Sequence, residues 1–466
     1  MKAKSKWLAI FLVLGLILAA CGDGGGESTT TAAEETPETT AAETPDTTEP
    51  MTDTTGGGAG GDVQTDVGVD LEAGTITVGL LSDLTGPFSA LVQLIVTGQE
   101  TYWANVNANG GIGGLSVEVE AVDTAYDPAT HVQRYEELKD SVVAFGHSTG
   151  SPHTVAIAEQ LAADGILAIP LTWYSGWSDP AINANLMHHG VPYCIEAMNV
   201  IGYVTEELDQ EISTIAIASM PGDYGLDSHA GAMAAAEAAG LEVVYEGQGV
   251  INPADEATLT QVAGEIANAG ADLTWVTTTP GAWSSIFGQA LQQGYQGMWS
   301  GAGPSYNPAF IGPDSPIAEP VQQMTIWSSY YGLWGSDAPG IQEATQLLTD
   351  AGVTQPVSAY FEGFVEAQMM HAALQAAYDA GDLTQAGVLA AGKSLEDVDF
   401  NGLAPNETYV GEPNDQVQRV SAAIWVPNQE GLLSGETAGE EALANDYTSS
   451  IAEAYEFTGA CYTLEG

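Results

Sequence analysis

The chain has 466 residues, of which 62 are acidic and 7 are basic, so its formal net charge is −55 at pH 7. This length allows two or three domains. A field this negative repels phosphates and anionic headgroups, which excludes nucleic acid and the anionic membrane surface as binding partners.

The first 21 residues have the pattern of an export signal. Three lysines precede an apolar run over residues 7–20, which is too short to span a bilayer comfortably but has the length of a signal-peptide core. The run ends in Leu18-Ala19-Ala20-Cys21, which resembles a bacterial lipobox. The resemblance implies cleavage before Cys21, lipidation of that cysteine and an extracytoplasmic protein anchored to the bacterial cell membrane. The alternative is an ordinary secreted protein in which the cysteine is incidental.

Residues 22–73 are predicted to form a disordered tether. Residues 22–70 contain 13 Thr and 12 Asp or Glu but no Lys, Arg or aromatic residue. Such a segment cannot bury enough apolar surface to offset the entropy that ordering would cost. It would hold a folded domain away from the membrane.

The folded part is predicted to begin near residue 74, with a strand over residues 75–81 and a helix that reaches about Asn109. A second strand (115–122) and a helix capped by Asp127 follow. The glycines of the segment 109–114 come after a helix rather than a strand. They therefore indicate a helix end and not a dinucleotide-binding turn.

The most informative stretch is residues 141–173, which predicts a β-α-β unit. Residues 142–145 and 166–170 are apolar runs typical of buried strands. Between them, Pro152 is expected at the first helical position, with Ser151 as the N-cap. The hydroxyl-rich loop 146–151 would then lie between the carboxyl end of a strand and the amino end of a helix. Parallel sheets bind ligands at this edge, and free N–H groups there attract negative charge.

Strands and helices alternate again from residue 197 to residue 300, which favours a second parallel sheet covered by helices. The predicted strands are 213–219, 241–247, 272–277 and 296–300, and the predicted helices are 197–209, 225–239, 256–269 and 281–293. After these come a strand (322–328), helices near 339–351 and 356–379, and less regular strands at 408–411 and 417–426. The predicted fold class is α/β, with two Rossmann-like lobes whose parallel sheets are joined by a hinge of several crossovers.

We expect lobe 1 to comprise residues 74–194 and 325–393, lobe 2 to comprise residues 195–324 and 394–457, and a tail to follow over residues 458–466. Cys194 and Cys461 are the cysteines that remain once Cys21 is lipidated. Outside the membrane an even pair suggests a disulfide, which would tie the tail to the hinge. Two independent buried thiols are the alternative.

Several short motifs come in an order that is shared with a known family. They are Leu84-Thr85-Gly86-Pro87, Asn107 to Gly114, Asp127-Pro128-Ala129, Gly146-His147, Gly165-Ile166-Leu167 and Asp223-Tyr224-Gly225. Over residues 74–430 the chain resembles the branched-chain amino-acid (leucine/isoleucine/valine) binding proteins, which are type I periplasmic binding lipoproteins of ABC importers.

The resemblance implies two lobes that close over a small amphipathic ligand (an amino acid, an amide or a related organic acid) and deliver it to a membrane permease. It implies a binding protein rather than an enzyme, and no cofactor is expected. A ligand-sensing receptor of the same fold, which reports to a membrane signalling protein, is the alternative.

The resemblance also implies a set of ligand-binding residues. In lobe 1 they are Ser148, Thr149, Ser151, Leu171, Thr172 and Trp173. In lobe 2 they are Tyr224, Thr279, Trp283 and Tyr306. The chain departs from the family in the loop 300–306, which lacks the acid that holds a ligand ammonium. Asp83 or Asp223 would have to replace that acid, or the ligand has no ammonium.

Two more specific interpretations, an esterase and a metal site, have less support. Gly146 to Gly150 matches G-x-S-x-G, which would make Ser148 an esterase nucleophile with His229 or His371 as its base. However, the helix is expected to start after the loop, and no oxyanion loop precedes it. No metal site is predicted either, because His188 and His189 are adjacent and would point to opposite sides of a strand.

Overall fold

A computed structural model describes residues 63–463 of the chain. The predicted signal peptide, the lipidated Cys21 and most of the predicted tether lie outside these residues. None of the described helices is both long enough and apolar enough to cross a membrane.

Lobe 1 is a β-α-β-α-β-α-β arrangement, preceded by two short strands. Its elements are β1 (Gln64–Thr65), β2 (Val69–Asp70), β3 (Thr75–Ser82), α1 (Ser89–Ala108), β4 (Ser116–Asp123), α2 (Pro128–Leu138), β5 (Ala144–Thr149), α3 (Ser151–Asp164) and β6 (Ala168–Leu171). β3 lies between β4 and β5, and β6 follows β5, with all four strands parallel. The carboxyl ends of these strands therefore meet at one edge of the sheet.

The ordered fold begins earlier than predicted. β1 pairs with a strand near the end of lobe 1, β12 (Asp382–Leu383), and β2 pairs antiparallel with the start of β3. Residues 63–73 therefore belong to lobe 1 and not to the tether. The pairing partner of β1 lies more than three hundred residues further along the chain, so local composition carries no sign of it.

Lobe 2 contains the second parallel sheet, with strand order β10-β9-β7-β8. Its elements are α4 (Tyr193–Glu206), β7 (Thr214–Ser219), α5 (Asp223–Ala239), β8 (Glu242–Gly247), α6 (Glu256–Ala269), β9 (Leu273–Thr277), α7 (Pro280–Gln292), β10 (Met298–Ser300) and α8 (Ala318–Met324). The predicted alternation of strands and helices is confirmed over this whole region.

The chain then crosses back to lobe 1 and returns once more to lobe 2. The remaining elements are β11 (Trp327–Ser329), α9 (Pro339–Asp350), α10 (Tyr360–Asp379), β12, α11 (Gln385–Gly392), β13 (Ser421–Pro427), α12 (Gln429–Ser434), β14 (Glu440–Tyr447) and α13 (Ser450–Ala454). α10 packs on α1 in lobe 1, and α13 packs on α4. β11, β13 and β14 form a small antiparallel sheet at the crossovers. The predicted two-lobed α/β architecture is confirmed.

Several predicted element bounds are wrong. β5 begins two residues after the start of the predicted run 142–145 and ends four residues beyond it, because its buried polar end (147–149) also pairs with neighbouring strands. Ser151 is the first residue of α3, and Gly150 rather than Ser151 is the N-cap. Residues 318–324 form α8, which takes up the start of the strand predicted at 322–328. The strand predicted at 408–411 is not present.

The structure joins Cys194 and Cys461 in a disulfide, which the sequence left open. The bond links the first turn of α4 to the C-terminal segment. The same segment contacts lobe 1, because the Tyr174 hydroxyl donates to the Tyr462 carbonyl (2.8 Å) and the Cys461 N–H donates to Ser175 Oγ (2.8 Å). The C-terminal segment therefore fastens the hinge to the loop that follows β6.

Candidate functional site: a cleft between the lobes

The loop between β5 and α3 is shaped by a single glycine. Gly150 has a φ of 94°, and a Cβ there would lie 2.5 Å from His153 Nδ1 and 2.8 Å from the Tyr126 ring. Only glycine fits this position. The turn places Thr149 at the carboxyl end of β5, beside the first N–H groups of α3, which have no partner within their own helix. An anionic group is favoured at such a position by the helix dipole.

Three hydroxyl groups near this turn have different surroundings. The Ser151 and Thr172 hydroxyls are hydrogen-bonded to each other, and Thr172 Oγ1 is also 3.2 Å from the Tyr193 hydroxyl. Thr149 Oγ1 is buried and has no hydrogen-bond partner among residues 63–463. The Thr149 hydroxyl is therefore the one that is free to bind a ligand without breaking an existing bond.

A cavity between the lobes, which we call the inner chamber, begins at Thr149 and Gly150. Its walls are apolar and aromatic: Phe88, Leu91, Val92 and Ile95 from α1 and the residue before it, and Tyr126, Leu171, Trp173, Tyr193, Tyr224 and Pro304 from the surrounding loops and helices. The chamber encloses about 40 Å³. Phe88 of lobe 1 and Tyr224 of lobe 2 make an edge-to-face contact with ring centroids 6.2 Å apart, so both lobes close it.

A second cavity, the side chamber, shares Leu91, Ile95, Trp173 and Pro304 with the inner chamber. It extends toward the crossovers and is lined there by Tyr306, Tyr330, Tyr331, Trp425, Glu362 and Glu440. The Trp173 indole stacks on the Tyr330 ring, with centroids 3.7 Å apart and planes 6° from parallel. Trp173 lines both chambers, and no Lys or Arg of the described chain lines either one.

The side chain of Glu196 contacts the loop 300–306, which has no acidic residue of its own. Its Oε1 accepts from the Gly303 N–H (2.9 Å) and its Oε2 from the Tyr330 hydroxyl (2.7 Å). Burial raises the pKa of Glu196 to about 8. Both of its oxygens are engaged by groups of the protein.

The two acids that the sequence offered as substitutes differ in availability. Asp83 is used locally, because its carboxylate accepts from the N–H groups of Gly86 and Phe88. Asp223, the first residue of α5, is fully buried, and its carboxylate oxygens have no hydrogen-bond partner within residues 63–463. Burial raises the pKa of Asp223 to about 7, so it exists in both protonation states at neutral pH.

Ser148 does not face the cleft, contrary to the prediction. It is completely buried, with its Oγ 2.8 Å from Thr154 Oγ1 and 3.0 Å from His131 Nε2. His131 Nδ1 has no partner in the described chain, so no carboxylate orients this histidine. The bases proposed for an esterase lie elsewhere: His229 is near Ser219, and His371 is bonded to Tyr102. The geometry therefore gives no support to a nucleophilic serine.

The lobe 2 predictions are partly wrong. Trp283 is completely buried in the core of lobe 2, stacked between Phe287 and Phe310, because the inner face of α7 packs on its own sheet. Thr279 precedes α7 and lies just before Pro280, which lines a third cavity together with Phe88 and Leu91. Tyr306 lines the side chamber and this third cavity, and Tyr224 lines the inner chamber.

The sequence interpretation missed the wall that α1 supplies. Leu91 and Ile95 are one helical turn apart and share the face that looks onto the cleft, and Phe88 precedes the helix. Their spacing is visible in the sequence. However, the same spacing is typical of helix faces that pack on a sheet, so it gives no indication that this face binds a ligand.

The model of a family described as periplasmic binding protein matches residues 75–425 of the chain. A Leu/Ile/Val-binding protein of Rhizobium johnstonii is 31% identical over 99 residues. The match covers 21% of this chain and only 27% of that relative.

Solved structures match over most of the chain. A fatty acid ABC transporter substrate-binding protein from Thermomonospora curvata is 25% identical, with a TM-score of 0.76 over 84% of this chain and 97% of that one. A branched-chain amino acid ABC transporter protein from Thermus thermophilus, with bound valine, is 18% identical, with a TM-score of 0.67 over 81% of this chain and 98% of that one. The latter shares the fold with this chain.

Proposed function

Because the chain belongs to the periplasmic binding protein family, we propose that it captures an organic acid with an apolar body, such as a fatty or aromatic acid, and delivers it to the permease of an ABC importer. The observation that carries the proposal is the inner chamber. One end offers the Thr149 hydroxyl and the amino end of α3, and the remaining walls are apolar and aromatic.

The electrostatics support an acid without an ammonium group. An amino acid needs an ionised carboxylate near its ammonium, since an unpaired buried charge is costly. Both oxygens of Glu196 already accept hydrogen bonds from Gly303 and Tyr330, so neither is left for a ligand ammonium. The Thermomonospora curvata protein, at 25% identity, is described as a fatty acid binder, which favours the same ligand class. We expect no hydrolase activity, because Ser148 is sealed from the cleft.

Matched ligand pairs test this proposal. Leucine and 4-methylpentanoate share one apolar body, as do phenylalanine and 3-phenylpropanoate, and the members of each pair differ only in the ammonium group. Longer fatty acids extend the series toward the side chamber. In isothermal titration calorimetry we expect the acids without an ammonium to bind more tightly than their amino-acid partners. Binding of the amino acids alone would contradict the proposal.

A zwitterionic amino acid is the second candidate ligand, and Asp223 is the observation that favours it. This buried acid has unpartnered oxygens and lies close enough to Tyr126 and Tyr193 to affect the pKa values of both tyrosines. If Asp223 holds a ligand ammonium, Asp223→Asn should abolish leucine binding and leave 4-methylpentanoate binding intact. If the ligand is a simple acid, the same substitution should leave its affinity unchanged or improve it.

We also propose that Cys21 carries the lipid anchor and that the acidic, threonine-rich segment holds the two-lobed domain away from the membrane. The support is the sequence Leu18-Ala19-Ala20-Cys21 and the composition of residues 22–62. In a bacterial host, Cys21→Ser should give an unprocessed precursor or a soluble product in cell fractionation. A variant that is processed and held on the membrane like the wild type would contradict the anchor.

A further inference from the structure

We propose that His189, Glu362 and Glu366 form a binding site for a divalent transition-metal ion beneath the side chamber, with zinc as the best match. The proposal rests on the fold of lobe 1 and is independent of the ligand that the cleft binds. The sequence predicted no metal site, because it considered histidines alone and the two glutamates come from a helix far along the chain.

Two segments that are far apart in the chain bring the ligating groups together. Glu362 and Glu366 are one turn apart on α10 and therefore share a face of that helix. His189 belongs to the segment between β6 and α4. One ligand atom of each residue lies within 4.8 Å of the other two. His189 Nε2 is 3.3 Å from Glu362 Oε1, which is about the separation of two ligands on a tetrahedral ion with bonds of about 2.0–2.1 Å.

The atoms of this cluster lack partners. His189 Nε2, both carboxylate oxygens of Glu362 and Glu366 Oε1 make no hydrogen bond within residues 63–463. All three side chains are at most 3% exposed. Leaving such groups buried and unpaired is unfavourable. A cation at their centre would pair all of them at once.

No basic side chain of the described chain neutralises the two glutamates. The four basic side chains beyond the signal region are Arg134, Lys139, Lys393 and Arg419, and none of them forms an ion pair with the cluster.

A supporting shell surrounds the site. Gln99 of α1 donates from Nε2 to Glu366 Oε2 (2.8 Å), which orients the carboxylate and leaves Oε1 for the ion. His147 Nδ1 is 3.1 Å from the same Oε2, and His147 Nε2 is 2.6 Å from Ser82 Oγ. Hydrogen bonds of this kind hold metal ligands in place.

The donor set selects among metals. One imidazole with two carboxylates and no thiolate suits zinc, iron or manganese, whereas magnesium and calcium prefer six or more oxygen ligands. Glu362 also lines the side chamber, which gives the ion a route from the cleft.

The test uses the exported protein, purified without a histidine tag and stripped with EDTA. Calorimetric titration with zinc chloride should show one tight site, and the stripped protein should melt at a higher temperature once zinc is added. The double variant Glu362→Gln, Glu366→Gln should lose the tight site. The matched control is Glu118→Gln, Glu120→Gln, which removes two exposed carboxylates of β4 and the same charge, and it should keep the site.

Two further readouts separate a site from the general attraction of an acidic protein for cations. Cobalt in a tetrahedral site gives strong visible absorption, which should appear with the wild type and be absent from the Glu362/Glu366 variant. Gln99→Leu, which removes a supporting group, should weaken zinc binding by about 10–100-fold. Equal zinc binding by the Glu362/Glu366 variant and the wild type, or no tight site in the wild type, overturns the proposal. Circular dichroism of the variant checks that it is folded.

Discussion

At the scale of single residues, the cleft is distinguished by which hydroxyl group is free. The Ser151 and Thr172 hydroxyls are hydrogen-bonded to each other, whereas Thr149 Oγ1 is buried without a partner among the described residues. A ligand carboxylate would therefore gain a new hydrogen bond at Thr149 but would have to break one at the other two. The sequence predicted all three as equals, because a hydroxyl pattern does not show how hydroxyls bond among themselves.

We predict that Thr149→Val weakens ligand binding by about 1–3 kcal/mol, the cost of leaving a charged group short of one hydrogen bond. Titration calorimetry with the tightest ligand of the matched panel measures the change. Thr274→Val is the control, since Thr274 is equally buried in lobe 2, where it bonds to Tyr295. An unchanged affinity in Thr149→Val would place the ligand carboxylate elsewhere.

Trp173 and Trp283 show what the sequence could not predict about single residues. Trp173 and Trp283 both lie close to predicted ligand loops, and both were expected to line the cleft. Trp173 does, with its indole on Tyr330, whereas Trp283 fills the core of lobe 2. The difference depends on which face of α7 packs on the sheet, and an aromatic residue near the start of an apolar helix fits either role.

At the scale of elements, strand and helix alternation was predictable because buried strands are short apolar runs and the helices between them show helical periodicity. What the pattern could not supply was pairing between distant segments. β1 pairs with β12, and the cluster of His189, Glu362 and Glu366 joins the β6–α4 segment to α10. Contacts over such distances leave no local trace in composition or spacing.

The contact between α1 and α10 depends on two glycines. A Cβ on Gly98 would lie 2.1 Å from the Tyr360 carbonyl oxygen, and a Cβ on Gly363 would lie 2.0 Å from the Ile95 carbonyl oxygen. These are backbone atoms, which cannot move aside without shifting a helix. The close approach also lets Gln99 of α1 reach Glu366 of α10.

We therefore predict that Gly363→Ala lowers the free energy of unfolding by about 1–3 kcal/mol or more, as overpacking does. Gly264→Ala in α6 is the control, because a Cβ there meets only the end of the Gln293 side chain at 3.6 Å. That change should raise stability by about 0.5–1 kcal/mol, since alanine is the better helix former. Urea denaturation of both variants tests the pair, and equal effects would show that the helix contact is adaptable.

At the scale of the whole molecule, buried ionisable groups set the dependence of stability on pH. Burial raises the pKa of Glu196 and Glu407 to about 8 and that of Asp227 to about 7. Between about pH 4.5 and 8 the folded protein therefore holds protons that the unfolded chain has lost, so these acids make stability fall as pH rises. Burial lowers the pKa of His131 to about 3, so the unfolded chain takes up a proton there below about pH 6.5 and stability falls as pH drops.

The two trends oppose each other between about pH 4.5 and 6.5, whereas only the acids contribute above about pH 6.5, so we predict that stability falls from pH 6.5 to pH 8. Urea denaturation at pH 5, 6.5 and 8, in the presence of EDTA, measures the change. Glu407→Gln should flatten the decline from pH 6.5 to 8 by about 1–2 kcal/mol, because one pKa unit corresponds to about 1.4 kcal/mol. Stability that rises steadily to pH 8 in the wild type would mean that these acids are ionised in the folded protein.

The cleft also requires the two lobes to move. The inner chamber encloses about 40 Å³, whereas pockets for small organic ligands usually measure about 300–1,000 Å³. Entry of a ligand therefore needs the Phe88–Tyr224 contact between the lobes to open. A ligand that then touches both lobes binds the closed form better than the open form, and it shifts the population toward closure.

We predict that a saturating ligand compacts the protein in small-angle X-ray scattering and changes its tryptophan emission. Trp173 lines both chambers, so Trp173→Phe should remove most of the emission change while compaction persists. Trp283 is buried in the lobe 2 core, so Trp283→Phe should leave both signals in place. The two substitutions are chemically identical, and they differ only in whether the indole faces the cleft. An emission change that survives in Trp173→Phe and disappears in Trp283→Phe would place the ligand against lobe 2 alone, and binding without compaction would rule out closure by the hinge.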